Sequence, residues 1–76
     1  MNPTDLPACI NAKLKRYFEQ LAGETASGVH KMVMQETESV VIKFVLDTVN
    51  QNQSEASRIL GMNRGTLKKK IELYKL

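Results

Sequence analysis

Between Val29 and Asn50 the chain places apolar side chains around more than half the circumference of any helix it forms. Val29, Met32, Val33, Val40, Phe44, Val45 and Val49 follow the helical period. Val40–Leu46, VVIKFVL, is β-branched enough to pass as a strand. The helix prevails because the sequence offers no second strand to pair with, and a lone strand leaves its backbone unsatisfied. A helix apolar nearly all round belongs in a core or an interface. With so little other chain to cover it, the expected cover is a second copy in a two-fold dimer. The expected interface is Val33, Val40, Val41, Phe44 and Val45, joined by Ile10, Leu14 and Phe18 from an earlier helix.

The 76 residues make a single domain. A chain this short buries only about 60–65% of its unfolded surface, so a monomer is marginal without outside support. Metals and disulfides are the usual supports for small folds. Cys9 is the only cysteine and His30 the only histidine, which excludes an internal disulfide and argues against a zinc site. The pattern calls for no metal, no cofactor and no small-molecule substrate. No apolar run approaches the ~20 residues of a membrane span, and no basic-then-apolar signal opens the chain. A soluble, cytoplasmic protein is expected. Pro7 suits the start of a helix on which Ile10, Leu14, Tyr17, Phe18 and Leu21 form one stripe, ending near Gly23. Ala22–Gly28, AGETASG, reads as a loop in which Thr25 or Ser27 caps the next helix.

The charge lies at the other end. Residues 1–50 carry five Lys/Arg against six Asp/Glu, a net of −1, whereas residues 51–76 carry six against two, a net of +4. Such asymmetry points to a polyanionic partner. Within the basic part, Asn52 followed by Glu55 resembles a capping box opening a short helix, about residues 53–60, with Ala56, Ile59 and Leu60 inward and small Ser57 allowing a close crossing. Gly61 is its left-handed stop, and Asn63 caps a second helix with Leu67, Ile71 and Tyr74 on its apolar face. Asn63, Arg64, Thr66, Lys69 and Lys70 lie on or beside the other face.

Helix, glycine turn and basic helix together form a helix-turn-helix, whose second helix enters the major groove of double-stranded DNA. Arg64 in its first turn can give two hydrogen bonds to guanine, worth about 1–3 kcal/mol of discrimination. Asn63 can read a base edge, and Gly65 lets the backbone approach a phosphate. Thr66, Lys69 and Lys70 suit phosphates, which set affinity and register. Taken alone, Lys68–Lys70 would read equally as a solvated helix end favoured by the dipole.

The segment NQSEASRILGMNRGTLKKKIELY resembles the Fis family (factor for inversion stimulation) of bacterial nucleoid proteins and transcription regulators. The likeness extends back through LKRYFEQLAGE, Leu14–Glu24, and covers roughly residues 6–75. It implies an all-α chain of four helices, with residues 6–50 forming the dimerisation helices of an intertwined homodimer and residues 52–76 the helix-turn-helix. It implies DNA contacts from Asn63, Arg64, Thr66 and Lys69, and phosphate contacts from Asn52 and Ser54; Lys68 and Lys70 complete the expected set. It also implies bent DNA, because the paired recognition helices sit too close for straight duplex, and a preference for A/T-rich centres that deform readily.

The sequence departs from the family pattern in four places. About six residues precede the first helix where enteric members carry a β-hairpin arm, so recombinase stimulation is not expected. An arginine and a glycine linked to RNA polymerase activation are replaced by Asn50 and Gln51, which counts against polymerase contact. Val40 stands where the family has a kinking proline, and Glu55 and Glu72 stand at basic positions, which lowers the expected nonspecific affinity.

The expected protein is thus a nucleoid-associated DNA-bending regulator. The alternatives are a DNA-binding module of a larger activator, or a dimeric protein-interaction module using the same basic face. Enzyme chemistry has no support. His30 has no nucleophile near it in sequence, and Glu36 and Glu38, two apart, point to different helix faces rather than forming an acid–base pair. Cys9 reads as a half-buried small apolar residue, and the methionines, Met1 apart, as core filler.

Overall fold

The computed structural model describes residues 5–76, which form four α-helices and no strand among the described residues. These are α1 (Leu6–Gln20), α2 (Val29–Thr48), α3 (Gln53–Leu60) and α4 (Arg64–Tyr74). The chain divides into two compact units, one ending at Val33 and the other running Met34–Leu76. The all-α expectation holds, and the β-branched Val40–Leu46 stretch is helical.

In the N-terminal unit, Asp5 caps α1 by accepting from the Ala8 N–H at 3.3 Å, and Pro7 sits in the first turn, where a missing N–H costs nothing. No residue of α1 is buried. Ile10, Leu14 and Tyr17 are half-buried, while Phe18 is exposed and meets Tyr17 edge-to-face at 5.7 Å. The chain leaves α1 through left-handed Ala22 and Gly23. Neither Thr25 nor Ser27 caps the next helix. The Met32 N–H donates to the Gly28 carbonyl, which puts Gly28 just before the first helical residue.

In the Met34–Leu76 unit the centre is Ile42 and Leu46 of α2, Ala56 of α3 and Leu67 of α4. Val45, Val49, Leu60, Met62, Ile71 and Tyr74 pack around it. Helix α2 therefore has two apolar faces. One, with Ile42, Val45, Leu46 and Val49, closes this core; the other, with Val40, Val41 and Phe44, is exposed. Buried Ser57 donates its Oγ–H to the Ser54 carbonyl at 2.8 Å, which satisfies the hydroxyl inside the unit.

Two expectations about α3 change. Ile59 is 48% exposed rather than inward, because the buried face is centred on the small residues Ala56 and Ser57, leaving Ile59 on its far edge. The capping box is only half made. Asn52 accepts from the Glu55 N–H at 3.1 Å, but the Glu55 carboxylate turns to Arg58 instead of back to the Asn52 N–H, which donates to the Val49 carbonyl.

No helix of the structure is long and apolar enough to cross a membrane, among the described residues.

Candidate nucleic-acid interface

Three short signals place α4. Gly61, at φ 74°, ends α3 in the left-handed conformation that an L side chain adopts only with strain. The Met62 N–H then donates to the Ser57 carbonyl at 3.0 Å and closes the turn. Asn63 opens α4 by accepting from the Thr66 N–H at 2.7 Å. The turn between the helices is therefore just Gly61, Met62 and Asn63.

Leu67 is wholly buried and Ile71 and Tyr74 are half-buried, so α4 turns this edge to its own core. Asn63, Arg64, Gly65, Thr66, Lys68 and Lys69 are all exposed, as are Asn52 and Ser54 at the start of α3. The structure thus leaves seven of the eight expected contact residues on the surface. The side-chain oxygens of Asn52 and Asn63 both accept a capping N–H, which leaves the amide NH₂ of each exposed residue as its donor. That chemistry suits phosphate oxygens and the acceptor edges of bases.

Gly65 has no internal reason to be glycine. A Cβ there would meet only Asn63 Oδ1 at 3.5 Å, an ordinary van der Waals contact, and Gly65 has no positive φ. Within a helix glycine costs about 0.5–1 kcal/mol relative to alanine. Nothing in the fold offsets that cost.

Lys70 is the exception among the expected contacts. It is half-buried and donates to Glu38 Oε1 at 2.7 Å across 32 residues of sequence. The Tyr74 hydroxyl donates to the same oxygen at 2.5 Å. The Lys70 hydrogen bond, and then that of Tyr74, hold the Glu38 carboxyl below the usual carboxylate range, while the bond to Glu38 raises the Tyr74 phenol. Glu55 is likewise lowered by Arg58, on the open surface. Sequence reasoning had no route to Glu38 or Tyr74, since no local pattern links positions that far apart. Among the described residues no group of His, Cys, Asp and Glu is arranged to hold a metal ion.

Residues 33–74, the whole of this helix-turn-helix with most of the helix before it, match the family described as bacterial regulatory protein, Fis family. The chain belongs to the Fis family. Similar proteins include a putative Fis-like DNA-binding protein of Pseudomonas aeruginosa, 40% identical over 67 residues, covering 88% of this chain and 64% of that protein. One of Ralstonia nicotianae bearing the same description is 37% identical over 76 residues, covering 100% of this chain and 99% of the other. The DNA-binding protein Fis of Actinobacillus succinogenes is 40% identical over 65 residues, covering 86% of this chain and 66% of that protein. The chain therefore spans somewhat under two thirds of the length of some relatives and nearly all of others. The match runs from Val33 in α2 to Tyr74 at the end of α4 and so takes in α3 and α4 whole.

Proposed function

We propose that this protein is a homodimeric, DNA-bending regulator of the bacterial nucleoid, acting in the cytoplasm on double-stranded DNA. The observation that carries the reading is the exposed start of α4, where Asn63, Arg64, Gly65 and Thr66 stand together in a Fis-family helix-turn-helix. Arg64 reads a guanine edge, and Thr66, Lys68 and Lys69 hold phosphates, with Asn52 and Ser54 adding phosphate contacts from α3. The glycine at 65 is explained by close approach of the backbone to the duplex.

Dimerisation is supported by the outward face of α2. Phe44 is 72% exposed and Val40 64%, and Met34, Val41 and Leu73 border an open apolar groove. Adjacent exposed hydrophobes of this size mark an interaction surface rather than a solvated one. A two-fold pair presents two copies of α4, and a duplex that bends to meet both favours an A/T-rich, deformable centre.

Fluorescence anisotropy with two labelled duplexes tests the reading. One carries an A/T-rich centre flanked by symmetric G and C, and the other carries the same bases scrambled. Tight, salt-steep binding of one dimer per duplex, with preference for the first, is expected. Equal binding to both would mean nonspecific packaging of DNA. No binding at low salt would overturn DNA binding and leave the basic face for a protein partner.

A further inference from the structure

The run Lys68–Lys69–Lys70 looks like three equivalent charges for phosphate, yet the fold treats them differently. Lys68 and Lys69 are exposed. Lys70 lies beside buried Leu67 and half-buried Ile71 on the edge that α4 turns toward its core, and its ammonium meets Glu38 of α2. Each partner's side chain keeps only 29% of its accessible surface. The same carboxylate oxygen also accepts from Tyr74, so the pair is held by two hydrogen bonds from α4 rather than by one mobile lysine. The pairs Lys43–Asp47, at 3.0 Å, and Arg58 with Glu55 lie within single helices and are more exposed.

We propose that Glu38 is a positioning residue that limits nonspecific DNA affinity, by holding the half-buried Lys70 charge in an ion pair and away from phosphate. The inference rests on the DNA-binding reading above. A cation that neutralises a phosphate releases condensed counterions and adds to affinity for any sequence. A cation already neutralised by a carboxylate adds nothing of that kind. The recognition helix thus meets the duplex with Lys68 and Lys69 as its central charges, and discrimination is left to its N-terminal residues. Tyr74 holds the Glu38 carboxylate on its other side, so the acid does not swing away with the lysine. Glu38 acts through Lys70 and touches no DNA.

Affinity for the scrambled duplex is measured against salt for the wild type, Glu38→Gln and the double variant Glu38→Gln/Lys70→Gln. Releasing Lys70 should steepen the slope of log affinity against log salt by about 0.9 in Glu38→Gln. Between 50 and 200 mM salt that amounts to roughly 3.5-fold more loss of affinity than in wild type. The double variant should return to the wild-type slope, because it removes a pair that is already neutral to DNA. A purely structural role would lower affinity without steepening the slope. Glutamine keeps an acceptor for Tyr74, and circular dichroism confirms that each variant is folded. An unchanged slope in Glu38→Gln would overturn the proposal, as would a double variant shallower than wild type by about 0.9, since Lys70 would then be a phosphate contact. Wild-type protein that binds neither duplex would instead overturn the DNA reading, and this inference with it.

Discussion

Helix α1 and the helix-turn-helix solve the same problem, an amphipathic helix in a short chain, with opposite outcomes. The Met34–Leu76 unit buries Ile42, Leu46, Ala56 and Leu67 and caps both α3 and α4 with asparagine side chains. It succeeds because Ala56 and Ser57 are small enough for α3 and α4 to cross closely. Helix α1 is as regularly patterned and well capped, yet buries no residue and leaves Leu6 and Phe18 more than half exposed. Pattern and caps are enough to make a helix. They are not enough to bury one.

The sharpest way to break the comparison is at the exposed face of α2. Phe44→Asp puts a charge where a second copy is proposed to pack, and should abolish the dimer in light scattering. Unchanged mass would remove the proposed interface. Next in size is Leu67→Ala, which opens a cavity in the closed core and should cost about 2–5 kcal/mol in chemical denaturation. Phe18→Ala should approach that cost if α1 is covered in a dimer. A cost under about 0.5 kcal/mol would place Phe18 in solvent, as expected for a surface substitution.

Smaller effects separate contact from fold on α4. Arg64→Ala should lose about 1–3 kcal/mol on the preferred duplex and much less on scrambled DNA, at unchanged stability. Equal losses on both would make Arg64 a phosphate contact. Gly65→Ala should move stability and binding in opposite directions. It should raise unfolding free energy by about 0.5–1 kcal/mol while weakening affinity for duplex. Unchanged affinity would leave this glycine without a role.

The mildest effect is on pH dependence. The Glu38 carboxyl is lowered by Lys70 and Tyr74, so its stabilising contribution is complete above the unfolded value near 4.3 and is lost as pH falls through the lowered native value. The Tyr74 phenol is raised by Glu38, so its contribution is complete below about 10 and is lost as pH rises through the raised value. Thermal melts of wild type and Glu38→Gln should converge at the acid end and differ most between the two limits. A constant gap across pH would mean that the carboxylate charge is not what stabilises the contact.

Much of this was legible in the chain itself. Asn52, Gly61 and Asn63 announce the ends of α3 and α4 because capping acts within three or four residues, and the structure shows all three in those roles. The long apolar segment betrayed its two faces without showing which residue served which. Val45 packs, half-buried, on the core of its own unit, while Val40, Val41 and Phe44 are exposed. Ile59 was misplaced because helical spacing locates an apolar face only to within a residue or so, and the small residues beside it decided where α3 is buried.

The sequence by itself determined the helices, their stops, the basic C-terminal half and the polar start of α4, since each follows from interactions within one or two helical turns. Only the tertiary structure decided that Lys70 meets Glu38, that Tyr74 holds the same carboxylate, and that Ile59 stays in solvent. These depend on how the helices are rotated on a shared core. That rotation is set by packing between residues some thirty positions apart, which leaves no periodic trace along the chain.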